Sequence, residues 1–83
     1  MSNITDEEIL AGIAALVHEI VGVDAASVTP GQAFTTDLGL DSLALQEVVV
    51  GIEERFGVAV PDDQVASIAL VEDAVAHIRG AVD

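Results

Sequence analysis

Aliphatic residues return at intervals of three and four in three separate stretches of this chain, and nowhere do they alternate for long enough to build a sheet. In the first stretch Ile9, Ile13, Leu16, Val17, Ile20 and Val21 share that spacing. Thr5-Asp6-Glu7-Glu8 precedes them as a capping box, with Thr5 as N-cap and Glu8 reaching back, and Gly22 is a natural stop. The second stretch runs from about Ser42 to Phe56 and stops at Gly57, with Leu45, Val48, Val49, Ile52 and Phe56 on its inward face. A third, from about Val71 to Ala81, carries Val71, Ala74, Val75 and Ile78. Before it, Val58-Ala59-Val60 is extended and Pro61 opens a short helix, with Asp62 and Asp63 in its first turn and Val65 and Ile68 turned inward. The pattern predicts an all-α fold. It is a small four-helix bundle of three longer helices and one short one, with a long loop between helices one and two.

At 83 residues the chain has room for a single domain, spanning 1–83. Hydrophobic residues make up 52% of it, yet Phe34 and Phe56 are the only aromatics, so the core is built from Ile, Val, Leu and Ala. A core of that kind is deformable and suits a protein that admits a flexible alkyl chain. Fifteen acids against Arg55 and Arg79 give a formal net charge of −13. Phosphate binding needs a basic surface, so nucleic acid and anionic membranes are excluded as partners. Basic patches on other proteins are expected instead, and the field of the acids speeds encounter with them. The high hydrophobic content separates this chain from acidic disordered ones. A monomer is expected.

Cysteine is absent, so neither disulfides nor thiolate metal ligands are available. No apolar run approaches the roughly 18 residues that span a bilayer. The start, Met1-Ser2-Asn3-Ile4-Thr5-Asp6-Glu7-Glu8, is acidic where a signal peptide is basic. The cytoplasm is the expected compartment, and there the match of Asn3-Ile4-Thr5 to the glycosylation pattern carries no meaning.

From Val23 to Asp41 the helical pattern breaks, with Thr29-Pro30-Gly31 and Gly39 as turn signals. Val28, Phe34 and Leu38 are the expected anchors of this loop to the core. Its last residues, Asp37-Leu38-Gly39-Leu40-Asp41-Ser42-Leu43, place one serine at a loop-to-helix junction between carboxylates. Asp41 is a good N-cap, which puts Ser42 in the first helical turn, where backbone N–H groups lack partners and phosphates are favoured. Asp37 and Asp41 oppose such a group. No base lies nearby in sequence, so the hydroxyl is better suited to being modified by another enzyme than to attacking a substrate.

Catalytic signatures do not support an enzyme. The G-x-S-x-G elbow, Gly-rich phosphate loops and metal-spaced histidine pairs are all missing. His18 and His77 fall off the apolar stripes and read as surface residues. Asp62-Asp63 lacks the further spaced oxygens of a calcium loop, so no metal site is expected. A small hydrolase using Ser42 and an acidic interaction module with Ser42 unmodified are the competing readings.

Helix two carries an anomaly that folding does not explain. At about 100° per residue, Leu43 and Val50 fall together on the side away from the core face. Glu47 and Glu54 flank them on one edge, Gln46 and Glu53 on the other. An apolar centre with a charged rim is the composition of a docking surface.

The segment from Asp37 to Leu43, followed by Glu47, Ile52-Glu53-Glu54-Arg55-Phe56 and Val60-Pro61-Asp62-Asp63, resembles the acyl carrier proteins. The resemblance extends over nearly the whole chain. It implies a stand-alone, type II carrier in which Ser42 bears covalent 4′-phosphopantetheine, donated by coenzyme A through a separate magnesium-dependent transferase. The arm's thiol holds acyl chains as thioesters, and the lack of cysteine agrees with that. Asp41 and Leu43 are implied as flanking recognition residues and helix two as the partner-recognition helix. The partners implied are a phosphopantetheinyl transferase, a ketosynthase, an acyltransferase and other synthase enzymes. Asp41-Ser42-Leu43-Ala44-Leu45 is similar to carriers of type II polyketide synthases, whereas the stretch from Glu47 to Phe56 is closer to fatty acid carriers. Fatty acid biosynthesis is the expected pathway, with polyketide synthesis as the alternative.

Overall fold

The capping box forms as the sequence predicts. In the computed structural model, which describes residues 4–82, Thr5 Oγ1 accepts the Glu8 N–H at 3.1 Å while Glu8 Oε1 accepts the Thr5 N–H at 3.0 Å. They open α1, Asp6–Val21, which ends at Gly22, where the backbone turns left-handed. Asn3, the first residue of the glycosylation match, lies outside the described residues. Helix α2 is Ser42–Phe56 and ends at Gly57 in the same conformation. Pro61 serves as the N-cap of the short α3, Asp62–Val65, and α4 runs Val71–Val82, one residue past the expected end. Among the described residues these are the only α-helices, and there are no strands. The fold is the small helical bundle that the periodicity predicts.

The core is aliphatic around one ring. Ile9, Ile13 and Val17 of α1 meet Val48 and Ile52 of α2 and Val71 and Ile78 of α4, with Phe34 enclosed among them. Burying a side chain of this size contributes about 1.5–3 kcal/mol each. Val21, expected on the α1 stripe, is instead exposed, because it stands in the last turn as the chain leaves the bundle at Gly22.

The long loop is ordered by both its side chains and its backbone. Val28, Phe34 and Leu38 are buried as expected, and Leu40 joins them. A single 3₁₀ turn, Ala25–Ser27, capped by Asp24, interrupts it. Further on, the Phe34 N–H donates to Ala69 O at 3.1 Å and the Val71 N–H to Gln32 O at 2.9 Å. The Glu72 N–H reaches Pro30 O at 2.9 Å. Two of the donors that a helix start leaves unpaired are thus satisfied by the loop.

Helices α1 and α2 approach closely because two helical positions lack side chains. A Cβ on Gly12 would lie 2.5 Å from Phe56 Cζ, and one on Gly51 would lie 2.6 Å from Leu16 Cδ2. Each glycine forms the notch that seats a large residue of the other helix. Alanine at Gly12 regains up to about 1 kcal/mol of helix propensity, which offsets the crowding. Valine gains less and crowds more, so Gly12→Val lowers stability by about 1–3 kcal/mol in urea unfolding. Adding Phe56→Ala to it should cost less than the two single changes together; strict additivity would show that the ring does not fill this notch.

Candidate functional site

The approach to Ser42 is a chain of backbone clasps. Asp37 Oδ2 accepts the Ala33 N–H at 2.7 Å, and the Asp37 and Leu38 N–H groups both return to Ala33 O at 3.1 Å. The Leu40 N–H then donates to Phe34 O at 2.9 Å. Between them Gly39 has φ 74°, a conformation that a residue with a Cβ adopts only under strain. This reversal lets Leu38 and Leu40 both point into the core, where they are almost fully buried.

Asp41 follows as N-cap. Its Oδ1 accepts the Ala44 N–H at 2.8 Å and its carbonyl accepts the Leu45 N–H at 2.9 Å. Ser42 is therefore the first residue of α2, exposed, and no described group hydrogen-bonds its hydroxyl. The positive end of the helix dipole lies under that oxygen. The Asp37 and Asp41 carboxylates are each held by a backbone N–H, which reduces their opposition to a phosphate. The hydroxyl thus stands exposed at a capped helix start.

Neither histidine hydrogen-bonds it. The Nδ1–H of His18 donates to Val23 O at 3.0 Å, closing the end of α1. The Nε2–H of His77 donates to Ala59 O at 3.0 Å, and this ring is half-buried, tying α4 to the segment before α3. Among the described residues no group of three or more His, Cys, Asp or Glu is placed to hold a metal ion. None of their helices is long and apolar enough to cross a membrane.

The outer face of α2 has the predicted composition. Leu43 is 65% exposed and Val50 51%, values that set them apart from every other large apolar residue described except Val21. Gln46, Glu47 and Glu54 are exposed beside them. Glu53 differs: it is half-buried, and its Oε2 accepts the Val60 N–H at 3.0 Å, so it fastens the segment after α2. Three structural residues escaped the sequence reading. Leu40 is buried at a position that helical spacing does not flag, although its i+2 relation to Leu38 across Gly39 is a usable signal. Gly12 and Gly51 read as neutral until the helix crossing is seen, yet glycine inside a helical pattern is itself a sign of close packing.

These features define a class: a small helical protein with an exposed serine at a helix start beside an apolar, acid-rimmed face. Comparison with known proteins agrees. Residues 11–78 match the family described as the phosphopantetheine attachment site. An acyl carrier protein of Myxococcus xanthus is 48% identical over 75 residues, covering 90% of this chain and 95% of that protein. One of Acidothermus cellulolyticus is 46% identical over 78 residues, covering 94% and 93%. The meromycolate extension acyl carrier protein of Mycobacterium tuberculosis is 41% identical over 76 residues, covering 92% and 66%. The chain belongs to the acyl carrier protein family. Members of this family bear 4′-phosphopantetheine and carry acyl chains between synthase enzymes; they are carriers, not enzymes.

The cap and the charge of Asp41 are separable. Asp41→Ala removes the acceptor for the Ala44 N–H and should cost about 0.5–2 kcal/mol of stability. Asp41→Asn keeps an acceptor there and should unfold within a few tenths of a kcal/mol of the parent. Equal losses in the two variants, measured by thermal melting, would mean that charge rather than the cap bond supports the start of α2.

Proposed function

We propose that Ser42 is the attachment point of the 4′-phosphopantetheine arm and that the loaded protein serves fatty acid biosynthesis. One observation carries this reading: the Ser42 hydroxyl is exposed and unpartnered on the first turn of α2, beside the exposed Leu43. The arm, when attached, supplies the thiol that holds acyl groups as thioesters. Everything else is the work of this chain's residues. Asp41 fixes the turn that displays the hydroxyl, the dipole of α2 favours an anion at that end, and Leu43 gives an incoming enzyme an apolar foothold one residue away. The base for the transfer comes from the phosphopantetheinyl transferase, because neither His18 nor His77 hydrogen-bonds the Ser42 hydroxyl.

Leu43, Gln46, Glu47, Val50 and Glu54 form the face that meets the transferase, the ketosynthase, the acyltransferase and other synthase enzymes through their basic patches. Glu53 belongs to this face through its position and to the fold through its bond to Val60. A single acyl-carrier domain over 1–83, acting as a monomer in the cytoplasm, is consistent with the charge and composition. The stretch from Glu47 to Phe56 favours the fatty acid pathway. Ala44, directly after Leu43, favours a type II polyketide synthase as the second reading.

Incubation with coenzyme A, magnesium and a broad-specificity phosphopantetheinyl transferase should add the mass of one phosphopantetheine to the wild type and nothing to Ser42→Ala. Failure to gain mass with several transferases would refute the assignment of Ser42. On the docking face, Val50→Glu should shift stability by no more than about 0.5 kcal/mol, as at an exposed site, while raising KM for a ketosynthase. A large fall in Tm, or an unchanged KM, would remove Val50 from that face.

A further inference from the structure

Two carboxyl groups clasp the backbone on either side of the contact that joins the long loop to α4. Ala33 and Leu70 meet there as an antiparallel bridge, made by the Phe34 N–H on Ala69 O at 3.1 Å and the Val71 N–H on Gln32 O at 2.9 Å. The two peptides that accept these bonds are each held from behind. In the Gln32–Ala33 peptide the Ala33 N–H donates to Asp37 Oδ2 at 2.7 Å. In the Ala69–Leu70 peptide the Leu70 N–H donates to Asp73 Oδ2 at 2.9 Å, and the same oxygen takes the Ala69 N–H at 3.1 Å. A carboxyl oxygen on a peptide N–H polarises that peptide and makes its carbonyl a better acceptor. Taken one at a time, each carboxyl is a turn or helix cap. Taken together, they hold both acceptor peptides of one bridge. From there the constraint reaches the serine, because the Phe34 carbonyl accepts the Leu40 N–H at 2.9 Å, two residues before Ser42.

We propose that Asp37 and Asp73 are positioning residues for the modification of Ser42, acting as a pair through the Ala33–Leu70 bridge. The proposal rests on the carrier reading and names residues that set how fast the arm is attached. In that transfer Ser42 Oγ bonds to the phosphorus that bears the pantetheine arm, the pyrophosphate bond of coenzyme A breaks and its adenosine bisphosphate half leaves. The hydroxyl proton passes to the transferase's base. Such a displacement needs the oxygen held in line with the leaving group, and a displacement of about 1 Å can cost on the order of a hundredfold in rate. With either clasp gone, one acceptor peptide of the bridge loses its support, and Phe34 and Leu40 hold the junction less exactly. Each clasp uses a single oxygen, which the side-chain carbonyl of asparagine can replace.

Unloaded carriers report this in their rate of loading by a broad-specificity phosphopantetheinyl transferase, at a temperature well below the lowest Tm. Asp37→Ala and Asp73→Ala should each lower kcat about tenfold, with KM within about twofold of the wild type. Asp37→Asn and Asp73→Asn should load within about twofold of the wild type. Because both clasps act on one bridge, the double alanine variant should be about tenfold slow rather than about a hundredfold. Unchanged kcat in the folded alanine variants overturns the proposal, as stability alone would then be at stake. Asparagine variants as slow as the alanine ones overturn it by assigning the effect to charge, and a multiplicative loss in the double variant does so by making the sites independent. Where an alanine variant does not fold, amide exchange in the wild type decides. The Ala33, Phe34, Leu40 and Leu70 N–H groups should open as one unit, and protection of Leu40 and Leu70 differing by more than about tenfold overturns the proposal. If the wild type takes up no arm, the carrier reading itself fails; if it loads and these variants load equally well, only the positioning role does.

Discussion

Phe34, the one ring fully enclosed by the core, holds the long connection between α1 and α2 against the bundle, and the position of Ser42 depends on that hold. A loop of this length has many conformations to lose, at roughly 1–2 kcal/mol of backbone entropy per residue. Four buried side chains and the three backbone bonds to Ala69, Val71 and Glu72 oppose that loss. The dependence is mutual, because Gln32 and Pro30 supply the acceptors that the first turn of α4 needs. Loop and α4 therefore order together. The Leu40 bond to Phe34 O passes the constraint directly to Asp41 and the start of α2.

The helices and their caps were legible because each was written in a local code. Thr5 with Glu8, Asp41 before Ser42, and Gly22 and Gly57 as stops all act within one helical turn, and the apolar spacing needs only a few turns to show itself. The exposed pair Leu43 and Val50 was legible for the same reason, being two positions on one helix that the core face does not claim. What stayed hidden was pairwise and distant. Gly12 acquires its meaning from Phe56, and Gly51 from Leu16, which no local pattern connects. The bond of Glu53 to Val60 turns a residue that reads as rim into a fastening of the next segment. His77 reaching Ala59 is of the same kind.

The charge looks different once the acids are placed. Read as a total, −13 speaks of solubility and of basic partners. In the structure Glu8, Asp24, Asp37, Asp41, Glu53 and Asp73 each accept a backbone N–H that the helices and turns leave unpaired. Asp62 and Asp63 sit in the first turn of α3, where the helix dipole favours them. Much of the acidity thus supports the fold locally, in a small domain whose aliphatic core leaves it little stability to spare. Glu47 and Glu54 accept no such bond among the described residues.

That contrast bears on how one helix serves the fold and, in the function proposed, recognition. Val48, Val49 and Ile52 of α2 are buried, its first turn displays Ser42, and its outer side is Leu43, Val50 and the free glutamates. A helix free to rotate would trade these faces, so display is only as accurate as packing. The notches at Gly12 and Gly51 oppose that rotation, since the first seats Phe56 with Arg55 beside it and the second seats Leu16. The same Gly12 position lets Arg55 lie close against α1. A residue with no side chain, at the far end of α2 from the serine, therefore links the packing of this protein to its exposed surface.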